Sequence, residues 1–463
     1  MTDSLQLVWL RNDLRLLDNP PLYRARQAGP VVACFAVTKK QWQNHNDSPA
    51  KLGLCRDLLL VLQERLAALN IALKIIVTPE YAGLPKALTQ LAKKLNAETV
   101  WWSCEYPLNE ARRDQAVAKA LQAENIGVQQ LHGDLIHPPG SVRTGQGQIF
   151  QVFTPFAKRW RQISEPSHWA CLPKPKKQSP LDIKSDTVPP FGGDYRKDLW
   201  PSSAAAVSKR LNAFCENKLL DYTEARDFPG HRGTSLLSPY LTLGAVSVRQ
   251  CLQQVLSDKG PEGFDSQWVT ELIWREFYRH LIATRPKLSR GFCFKSAGEH
   301  VRWARPDLFA SWCQGQTGFP IVDAGMRQLQ QTGWMHNRVR MITAAFLTKL
   351  LLIDWHLGEA FFMQQLIDGD FASNNGGWQW SASVGADAAP YFRIFNPYRQ
   401  AERFDPAGDY VRKFVPELAS LPGKKIHQPT AVHCQQWNYP HPIIDYALAR
   451  ETAMAVFVEA FKN

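Results

Sequence analysis

The stretch VVACFAV, residues 31–37, is a nearly continuous run of apolar side chains. A strand covered on both faces of a sheet has this composition, because side chains of both orientations point into a core. Similar short runs occupy Leu5–Leu10, Leu73–Val77, Thr99–Ser103 and Val128–Leu131. Amphipathic stretches separate them, at Pro20–Ala28, Ala50–Leu69, Leu84–Leu95 and Asn109–Glu124. Strands that alternate with helices of this length predict βαβ units and a doubly wound parallel sheet.

The character of the sequence changes after Gly133. Ten prolines fall between positions 138 and 201, which predicts a long connector, interrupted by one short helix over 155–163. Beyond it only helical periodicity occurs, at Ala204–Cys215, Ser247–Leu256, Phe264–Thr284, Leu308–Gln314, Ile321–Thr332, Asn337–Leu352, Gly358–Ile367 and Pro442–Phe461. We therefore predict an α/β domain over 1–133, a connector over 134–201 and an all-helical domain over 202–463.

The charge balance suggests a polyanionic partner. Lys and Arg number 54 against 42 acidic residues, a net charge of +12, although a basic surface without a binding role is the alternative. The nine cysteines are scattered without a C-x-x-C pair, which argues against a disulfide framework and a zinc site and favours a reducing compartment. Met1–Ser4 has no leader character, and the apolar stretch Met341–Ile353 is too short to span a bilayer. These features predict a cytoplasmic protein.

The usual catalytic motifs are missing. The turn after the first strand, Arg11–Asn19, lacks the G-x-G-x-x-G that lets a backbone approach a pyrophosphate. No Ser-His-Asp arrangement, metal triad or Walker loop occurs either, so we expect no metal. Three hydroxyls in Gly233–Pro239 precede a helical stretch and could cap that helix or hold phosphate oxygens, capping being the simpler interpretation.

Two helical stretches carry unusual faces. Glu271, Trp274, Arg275 and Tyr278 recur at i, i+3, i+4 and i+7, and such a stripe makes a poor core and a good ligand wall. An ion-paired surface face is the alternative. In the second stretch, we expect Trp334, Arg338 and Met341 to share a face, and His336 to be structural.

The densest segment is Asp368–Trp380. It combines two carboxylates, two amides, several glycines and two tryptophans, so we do not expect it to form a packed helix. These residue types suit a planar, redox-active organic ligand held by hydrogen bonds and stacking.

Together with Val8–Arg15, the segments 234–238, 271–279, 334–338 and 368–380 resemble the photolyase/cryptochrome family over essentially the whole chain. The resemblance is closest to bacterial class I cyclobutane pyrimidine dimer photolyases with a folate antenna. It implies a carbon–carbon lyase that repairs UV-damaged DNA by light-driven electron transfer from reduced, anionic FAD to a flipped-out lesion. Photolyases are themselves an example of base flipping. It further implies a monomer with no obligate protein partner.

The resemblance also assigns residues. Those implied to hold FAD are Tyr222, Thr234, Ser235, Leu236, Leu237, Ser238, Trp268, Glu271, Arg275, Asn337, Arg340, Asp368, Asp370 and Asn374, with Arg340 paired to Asp368 and Asn374 facing flavin N5. Glu271, Trp274, Met341, Asn374 and Trp380 are the implied catalytic set. Arg226, Trp274, Arg275, Asn337, Arg338, Trp380 and Arg393 are implied to contact DNA, and Trp303, Trp355 and Trp378 to carry electrons to oxidised flavin.

The antenna is implied to be methenyltetrahydrofolate, bound by His45, Asn46, Asn109, Glu110 and Arg290. Arg290 stands where the family has lysine, which keeps the charge but changes the geometry, so a flavin or deazaflavin antenna stays open. A cryptochrome photoreceptor is the nearest rival function. A (6-4) photolyase is disfavoured because Met341 stands where histidine is expected. An NAD(P)H oxidoreductase lacks its fingerprint, and a plain DNA-binding module would not explain the flavin segments.

Overall fold

The computed structural model describes residues 4–462, so most of the stretch Met1–Ser4 that was inspected for a leader lies outside it. The backbone divides into two compact units. The first comprises the chain up to Phe150 together with Thr154–Leu219 and Ser235–Ser289, and the second comprises Gln151–Phe153, Leu220–Thr234 and the chain from Arg290 onward. The first unit thus extends further along the chain than the α/β domain that we predicted over 1–133. The division at 133 and 201 stays a prediction.

The first unit contains a five-stranded sheet in which all pairs are parallel. The strands are β1 (Gln6–Leu10), β2 (Val31–Val37), β3 (Leu73–Val77), β4 (Thr99–Ser103) and β5 (Gly127–Leu131), in the order β3-β2-β1-β4-β5. The order reverses at β1, as in doubly wound sheets. The predicted fold class is confirmed.

The α-helices are α1 (Pro20–Ala28), α2 (Lys39–Asn44), α3 (Pro49–Ala67), α4 (Leu84–Lys94), α5 (Leu108–Gln122), α6 (Phe153–Ile163), α7 (Ala204–Asn217), α8 (Tyr222–Ala225), α9 (Ser238–Thr242), α10 (Val248–Lys259), α11 (Gln267–Thr284), α12 (Phe309–Gln314), α13 (Pro320–Thr332), α14 (Asn337–Ala345), α15 (Trp355–Gln365), α16 (Phe371–Ser381), α17 (Pro397–Phe404), α18 (Asp409–Phe414), α19 (Ala431–Gln436) and α20 (Tyr446–Lys462). A π-helical turn, Phe346–Leu350, continues α14. In the described part of the chain, no helix is long and apolar enough to cross a membrane.

The connector protects one edge of the sheet. Ser185 Oγ accepts from Leu73 N at 3.0 Å, and the Asp186 carboxylate accepts from Ile75 N at 2.9 Å. Asp186 N in turn donates to Leu73 O at 2.8 Å. These bonds satisfy backbone groups of edge strand β3 that would otherwise invite pairing with another chain. The proline-rich segment therefore belongs structurally to the first unit rather than to a loose linker.

Two parts of the helical prediction are wrong. Phe371–Ser381 is an α-helix, because Asp370 caps it (its side chain accepts from Ser373 N at 2.9 Å) and hydrogen bonds from neighbouring elements hold its interior. Trp334 lies before α14, which starts at Asn337 with His336 as its N-cap, so Trp334 shares no helical face with Arg338 and Met341. Five short helices, α2, α8, α17, α18 and α19, were not predicted, since none is longer than eight residues.

Candidate active site

Helix α11 in the first unit presents the predicted stripe. Ser266 caps the helix, and its side chain accepts from Val269 N at 3.4 Å. Glu271, Trp274 and Arg275 are all half-buried. Gln267 Nε2 donates to Glu271 Oε1 at 2.8 Å and orients the carboxylate. The ring of Trp274 packs against Tyr278 at 5.5 Å between centroids, which fixes its plane.

Arg275 is anchored by acceptors within the first unit. Its guanidinium pairs with the Asp134 carboxylate and donates to the Asp134 and Leu241 carbonyls, at 3.1 and 3.2 Å. Arg279 Nε donates to the other oxygen of Asp134 at 2.6 Å. Asp134 therefore fixes the orientation of Arg275, a role that the sequence did not indicate, because nothing marks Asp134 as a partner.

Glu276, on the opposite side of α11, is an anchor that sequence reasoning missed. It is 1% exposed and accepts from Ile136 N and His137 N, both at 2.9 Å, and from Trp160 Nε1 at 2.7 Å. Burial raises the pKa of Glu276 to about 7, although these hydrogen bonds favour the charged form. Three donors on one buried carboxyl hold α11 to the start of the connector and to α6.

The hydroxyl loop before α9 does not cap that helix in the predicted way. The N-cap is Leu237, and no side chain makes a cap bond there. Ser235 Oγ instead accepts from Leu237 N at 3.4 Å. Leu236 has φ +54°, a left-handed conformation that is costly for a residue with a branched side chain and is often stored at ligand sites. Of this set, Ser235 to Ser238 belong to the first unit, and Tyr222 and Thr234 to the second.

In the second unit, Arg340 and Asp368 form the expected pair. Arg340 Nη2 lies 3.0 and 2.8 Å from the two carboxylate oxygens, and its Nε donates to Met335 O at 2.8 Å. The side chain of Asp368 is nearly buried, so the arginine provides the charge compensation that a buried carboxylate needs. Asp370 follows as the N-cap of α16.

Helix α16 places the side-chain amide of Asn374 one turn before Gly377. Asn374 Nδ2 donates to Glu359 O at 3.0 Å, which leaves Oδ1 as its acceptor. Gly377 lies three residues further along, and a Cβ there would meet no atom within 4 Å. Asn375 Nδ2 donates to Glu359 Oε1 at 2.9 Å, and Gln379 Nε2 donates to Asn375 Oδ1 at 3.0 Å. This buried network holds α16 against α15, and Gly377 leaves open space at the surface of the helix.

The three predicted electron-carrying tryptophans all lie in the second unit. Trp355 and Trp378 are buried, with 0% and 2% exposure, and Trp303 is half-buried. The Trp378 ring packs onto Gly358, three residues beyond Trp355 on α15. Trp303 packs edge to face with Phe457 at 6.2 Å. Trp380 and Met341 are half-buried.

The predicted DNA-contacting residues of the second unit include a paired arginine. Arg338 Nη2 lies 2.7 Å from Asp227 Oδ1, and its guanidinium covers the Phe404 ring at 4.3 Å. Arg226 contacts Asp227 at 3.9 Å and the Tyr222 ring at 5.6 Å. Asn337 and Arg393 are exposed. Asp227 was not recognised from the sequence, which contains no periodic signal in that loop.

Four of the predicted antenna residues lie in the first unit. Gln41 Nε2 and Asn109 Nδ2 lie 2.8 and 3.0 Å from His45 Nε2, so both amides are within hydrogen-bond distance of the same ring nitrogen. His45 Nδ1 lies 3.3 Å from Glu110 Oε1. Burial raises the pKa of Glu110. Asn46 has φ +57°, and Arg290 is exposed and belongs to the second unit.

The residues of the second unit fit a flavin. A planar ring needs open space beside the helix, which Gly377 leaves. A ring N–H needs an acceptor, which Asn374 Oδ1 supplies. A buried carboxylate paired with an arginine, Asp368 with Arg340, adds fixed polar groups for the remaining edges.

Comparison with known proteins agrees with that fit. A family model described as the FAD binding domain of DNA photolyase matches residues 268–459, and one described as DNA photolyase matches residues 6–178. A deoxyribodipyrimidine photo-lyase of Vibrio cholerae is 43% identical, over 98% of this chain and 100% of its own length. The crystal structure of a class III photolyase from Agrobacterium tumefaciens has a TM-score of 0.90 and 35% identity, over 100% of this chain and 99% of its own. A Synechocystis cryptochrome structure has a TM-score of 0.82 and 30% identity, over 98% and 100%.

A parallel sheet at the start of the chain and a helical FAD-binding domain after it define a flavoprotein of the photolyase and cryptochrome architecture. The chain belongs to the DNA photolyase family. The resemblance drawn from the sequence motifs is therefore confirmed, and FAD is the cofactor of this domain.

Proposed function

We propose that this protein is a light-driven repair enzyme that splits cyclobutane pyrimidine dimers in DNA, the activity that the names of its photo-lyase relatives describe. The observation that carries the proposal is the half-buried face of α11, where an oriented carboxylate, a fixed indole and an anchored guanidinium share one stripe. When bound, reduced FAD supplies the electron that opens the cyclobutane ring and receives it back, so the reaction has no net redox change.

The lesion is held by aromatic and polar side chains. Trp274, whose plane Tyr278 fixes, stacks on the flipped-out bases, and Trp380 offers a second aromatic surface. Glu271, oriented by Gln267, accepts hydrogen bonds from the base edges. Met341 is the proposed apolar contact of the lesion. A dimer bound by these side chains leaves the base stack, which is easier for damaged bases than for intact ones.

The cofactor is held by a larger set. The backbone amides around left-handed Leu236 and the hydroxyls of Ser235 and Ser238 would hold the phosphates, and Thr234 and Leu237 belong to the same loop. Tyr222, at the start of α8, is a further proposed contact. Asn374, whose Nδ2 donates to Glu359 O, would offer Oδ1 as an acceptor to the N–H at flavin N5 of the reduced ring. The other proposed contacts are Trp268, Glu271, Arg275, Asn337, Arg340, Asp368 and Asp370.

The DNA backbone is contacted through positive charge. Arg226, Arg275, Arg338 and Arg393 supply the cations, and Asn337 a neutral donor. Two of the four arginines are pre-oriented by carboxylates, Arg275 by Asp134 and Arg338 by Asp227, which lowers the entropy cost of binding a phosphate. The net charge of +12 favours the same partner. A cytoplasmic location and a monomeric state stay predictions.

The antenna is methenyltetrahydrofolate. His45, Asn109 and Glu110 form a connected polar cluster, and Asn46 and Arg290 complete the proposed set. A flavin or deazaflavin antenna is the alternative, and the absorption spectrum of the purified protein separates them. A near-ultraviolet band that His45→Ala removes while the FAD bands persist supports folate at this cluster.

The test of the function is a repair assay. The protein is loaded with FAD, reduced and illuminated with dimer-containing single-stranded oligonucleotide, and recovery of thymine absorbance is followed. We expect recovery only in the light. Samples in the dark and samples with undamaged oligonucleotide serve as controls. Flavin binding without any recovery would overturn the proposal and favour the photoreceptor function that a cryptochrome relative suggests.

Trp274→Ala tests the stacking role. We expect its affinity for dimer-containing DNA to fall about tenfold, since stacking of a base on an aromatic ring contributes about 1–3 kcal/mol. Trp437→Ala, which removes a half-buried indole packed on His433, is the matched control and should leave affinity unchanged. Equal affinity of Trp274→Ala and wild type would rule out the stacking role.

Trp303, Trp355 and Trp378 form the proposed path that returns electrons to oxidised flavin in the light. We expect Trp355→Phe to slow photoreduction more than tenfold, because phenylalanine is far harder to oxidise than tryptophan. Trp312→Phe is the control, since Trp312 is also fully buried and lies 6.0 Å from Trp378 but is not part of the proposed path. Photoreduction at the wild-type rate in Trp355→Phe would refute the path.

A further inference from the structure

A histidine is stacked on the central tryptophan of the proposed electron path. The rings of Trp355 and His356 lie 3.8 Å apart between centroids, with 28° between their planes. Trp355 is fully buried, whereas about 40% of the His356 side chain is exposed to solvent. An exchangeable proton at His356 is therefore in direct contact with a buried indole.

Both ring nitrogens of His356 face groups that can only accept. Nδ1 lies 2.7 Å from Asp354 Oδ1, and Nε2 lies 2.6 Å from the Gly291 carbonyl oxygen. A neutral imidazole has one N–H and could satisfy one of these contacts, whereas the imidazolium satisfies both. The geometry thus selects the charged form of His356.

The charges around this ring are few. On its own helix, Asp354 and Glu359 are acidic. On the segment that carries Gly291, the guanidinium of Arg290 precedes Gly291 in the chain. Two residues after Gly291 is the Cys293 thiol, whose pKa burial raises to about 12, and Glu299 accepts from Cys293 N at 2.6 Å. Burial opposes the charge on His356, but the bonds to Asp354 and Gly291 outweigh it, so the pKa of His356 lies above its ordinary value.

We propose that His356 is a positioning residue, acting through Trp355, that makes light-driven reduction of the bound flavin dependent on pH. The inference rests on the proposed electron path. In that path Trp355 loses one electron towards Trp378, Trp303 replaces it, and an added thiol restores Trp303. Trp355 therefore becomes a cation for a short time, and the charge on the stacked ring decides how favourable that cation is.

The protonation state of His356 determines whether photoreduction becomes faster or slower as the pH changes. With His356 protonated, an imidazolium in contact with the indole opposes the tryptophan cation, and Asp354 only partly offsets it. Once the proton leaves, the surroundings of Trp355 are more negative by one unit charge, and the Asp354 carboxylate favours the cation. Photoreduction therefore becomes faster as the pH rises through the pKa of His356.

The experiment compares pH profiles of photoreduction, with excess thiol, for the FAD-loaded protein and its variants. We expect the wild-type rate to rise at least about threefold between about pH 6 and about pH 9, since a unit charge in contact is a strong perturbation. His356→Gln, which keeps one donor for Gly291, should be fast and flat. His356→Arg, which is always charged, should be slow and flat. His433→Gln, which alters a histidine packed on Trp437 at 5.4 Å, is the matched control and should keep the wild-type profile.

A second measurement does not depend on turnover. The His356 imidazole is titrated by NMR in the full-length protein, and its pKa should coincide with the midpoint of the wild-type photoreduction profile. A pH dependence that persists in His356→Gln, or a midpoint that departs from the NMR titration, would overturn the proposal. If Trp355→Phe is slow while His356→Gln keeps the wild-type profile, only this inference fails. If Trp355→Phe is as fast as wild type, the electron path itself fails.

Discussion

Helices α11 and α16 both carry proposed ligand-binding side chains, but they are helical for different reasons. The eighteen residues of α11, Gln267–Thr284, include no glycine or proline, and apolar residues fill its buried face. The eleven residues of α16 include Asn374, Asn375, Gly376 and Gly377 in succession, all weak helix formers. The local sequence pattern alone accounts for the helical structure of α11, but it cannot account for that of α16.

What holds α16 comes from elsewhere in the fold. Asp370 caps its first turn, and the hydrogen bonds from Asn375 to Glu359 and from Phe294 N to Gln379 Oε1, at 2.9 and 2.8 Å, fix its buried side. Gly377 then serves the ligand in the proposed site, since it leaves open space beside the helix. The comparison indicates that a binding helix can give up intrinsic propensity where tertiary hydrogen bonds replace it.

The largest expected effect concerns the anchor of α11. Glu276 has a pKa of about 7 in the folded chain against 4.5 in the reference state, so the folded chain binds this proton more tightly. The stabilisation it gives is complete below about pH 4.5 and is lost as the pH rises through about 7, a loss of about 3 kcal/mol. Urea unfolding of the full-length protein at a series of pH values measures this loss of stability.

Glu276→Gln provides the control for that measurement. The amide cannot ionise, so the decline between about pH 5 and about pH 7 should disappear from the variant while it persists in wild type. His137 and His280, whose pKa burial lowers to about 4, act in the opposite sense, since their contribution is lost as the pH falls. An unchanged profile in Glu276→Gln would mean that the buried carboxyl stays ionised and that α11 is tied by a charge.

Two glycines, Gly358 on α15 and Gly377 on α16, test how tightly the surroundings of α16 are packed. A Cβ at Gly358 would overlap the Trp378 ring, whereas a Cβ at Gly377 would meet nothing within 4 Å. We expect Gly358→Ala to destabilise the protein by about 1–3 kcal/mol through overpacking, although alanine favours helix. Gly377→Ala should stabilise the flavin-free protein by up to about 1 kcal/mol and weaken FAD retention. Thermal unfolding with and without FAD measures both.

The two variants check each other. Each variant adds one methyl group to a helix of the second unit. If one variant destabilises the protein and the other stabilises it, the difference is due to the packing around each glycine and not to helix propensity. If Gly377→Ala retained FAD as well as wild type does, the flavin would not lie against Gly377. If Gly358→Ala were neutral, Trp378 would have room to move.

The strands were the most predictable part of the fold. All five observed strands begin and end within one residue of the predicted runs, because buried parallel strands are short apolar segments between turn residues. The stripe on α11 was also found from spacing alone. The partners that orient it were not, since Asp134 and Gln267 carry no signal of their own. Asp227 and Glu359 were not identified from the sequence for the same reason, because their contacts are with residues distant in sequence.

The segment 368–380 was misread because propensity was given more weight than capping. Asp370 is an N-cap residue that the sequence did contain, since a carboxylate at this position accepts from a backbone amide of the first turn. Composition then argued against a helix that the cap and the buried network support. The identification of the residue types with a redox ligand was independent of that error.

The smallest expected effect concerns the N-cap residues of α16 and α11. Asp370→Ala should cost about 1–2 kcal/mol and Ser266→Ala about 0.5–1 kcal/mol, because Asp370 accepts at 2.9 Å and also interacts with the helix dipole, whereas the Ser266 bond is 3.4 Å long. Asp370→Asn, which can still accept, should recover most of the loss. Hydrogen exchange of the α16 and α11 amides in the flavin-free protein localises the change. Equal losses in the two helices would show that α16 draws no more on its cap than α11 does, and that the Asn375 and Gln379 network alone makes this glycine-rich segment helical.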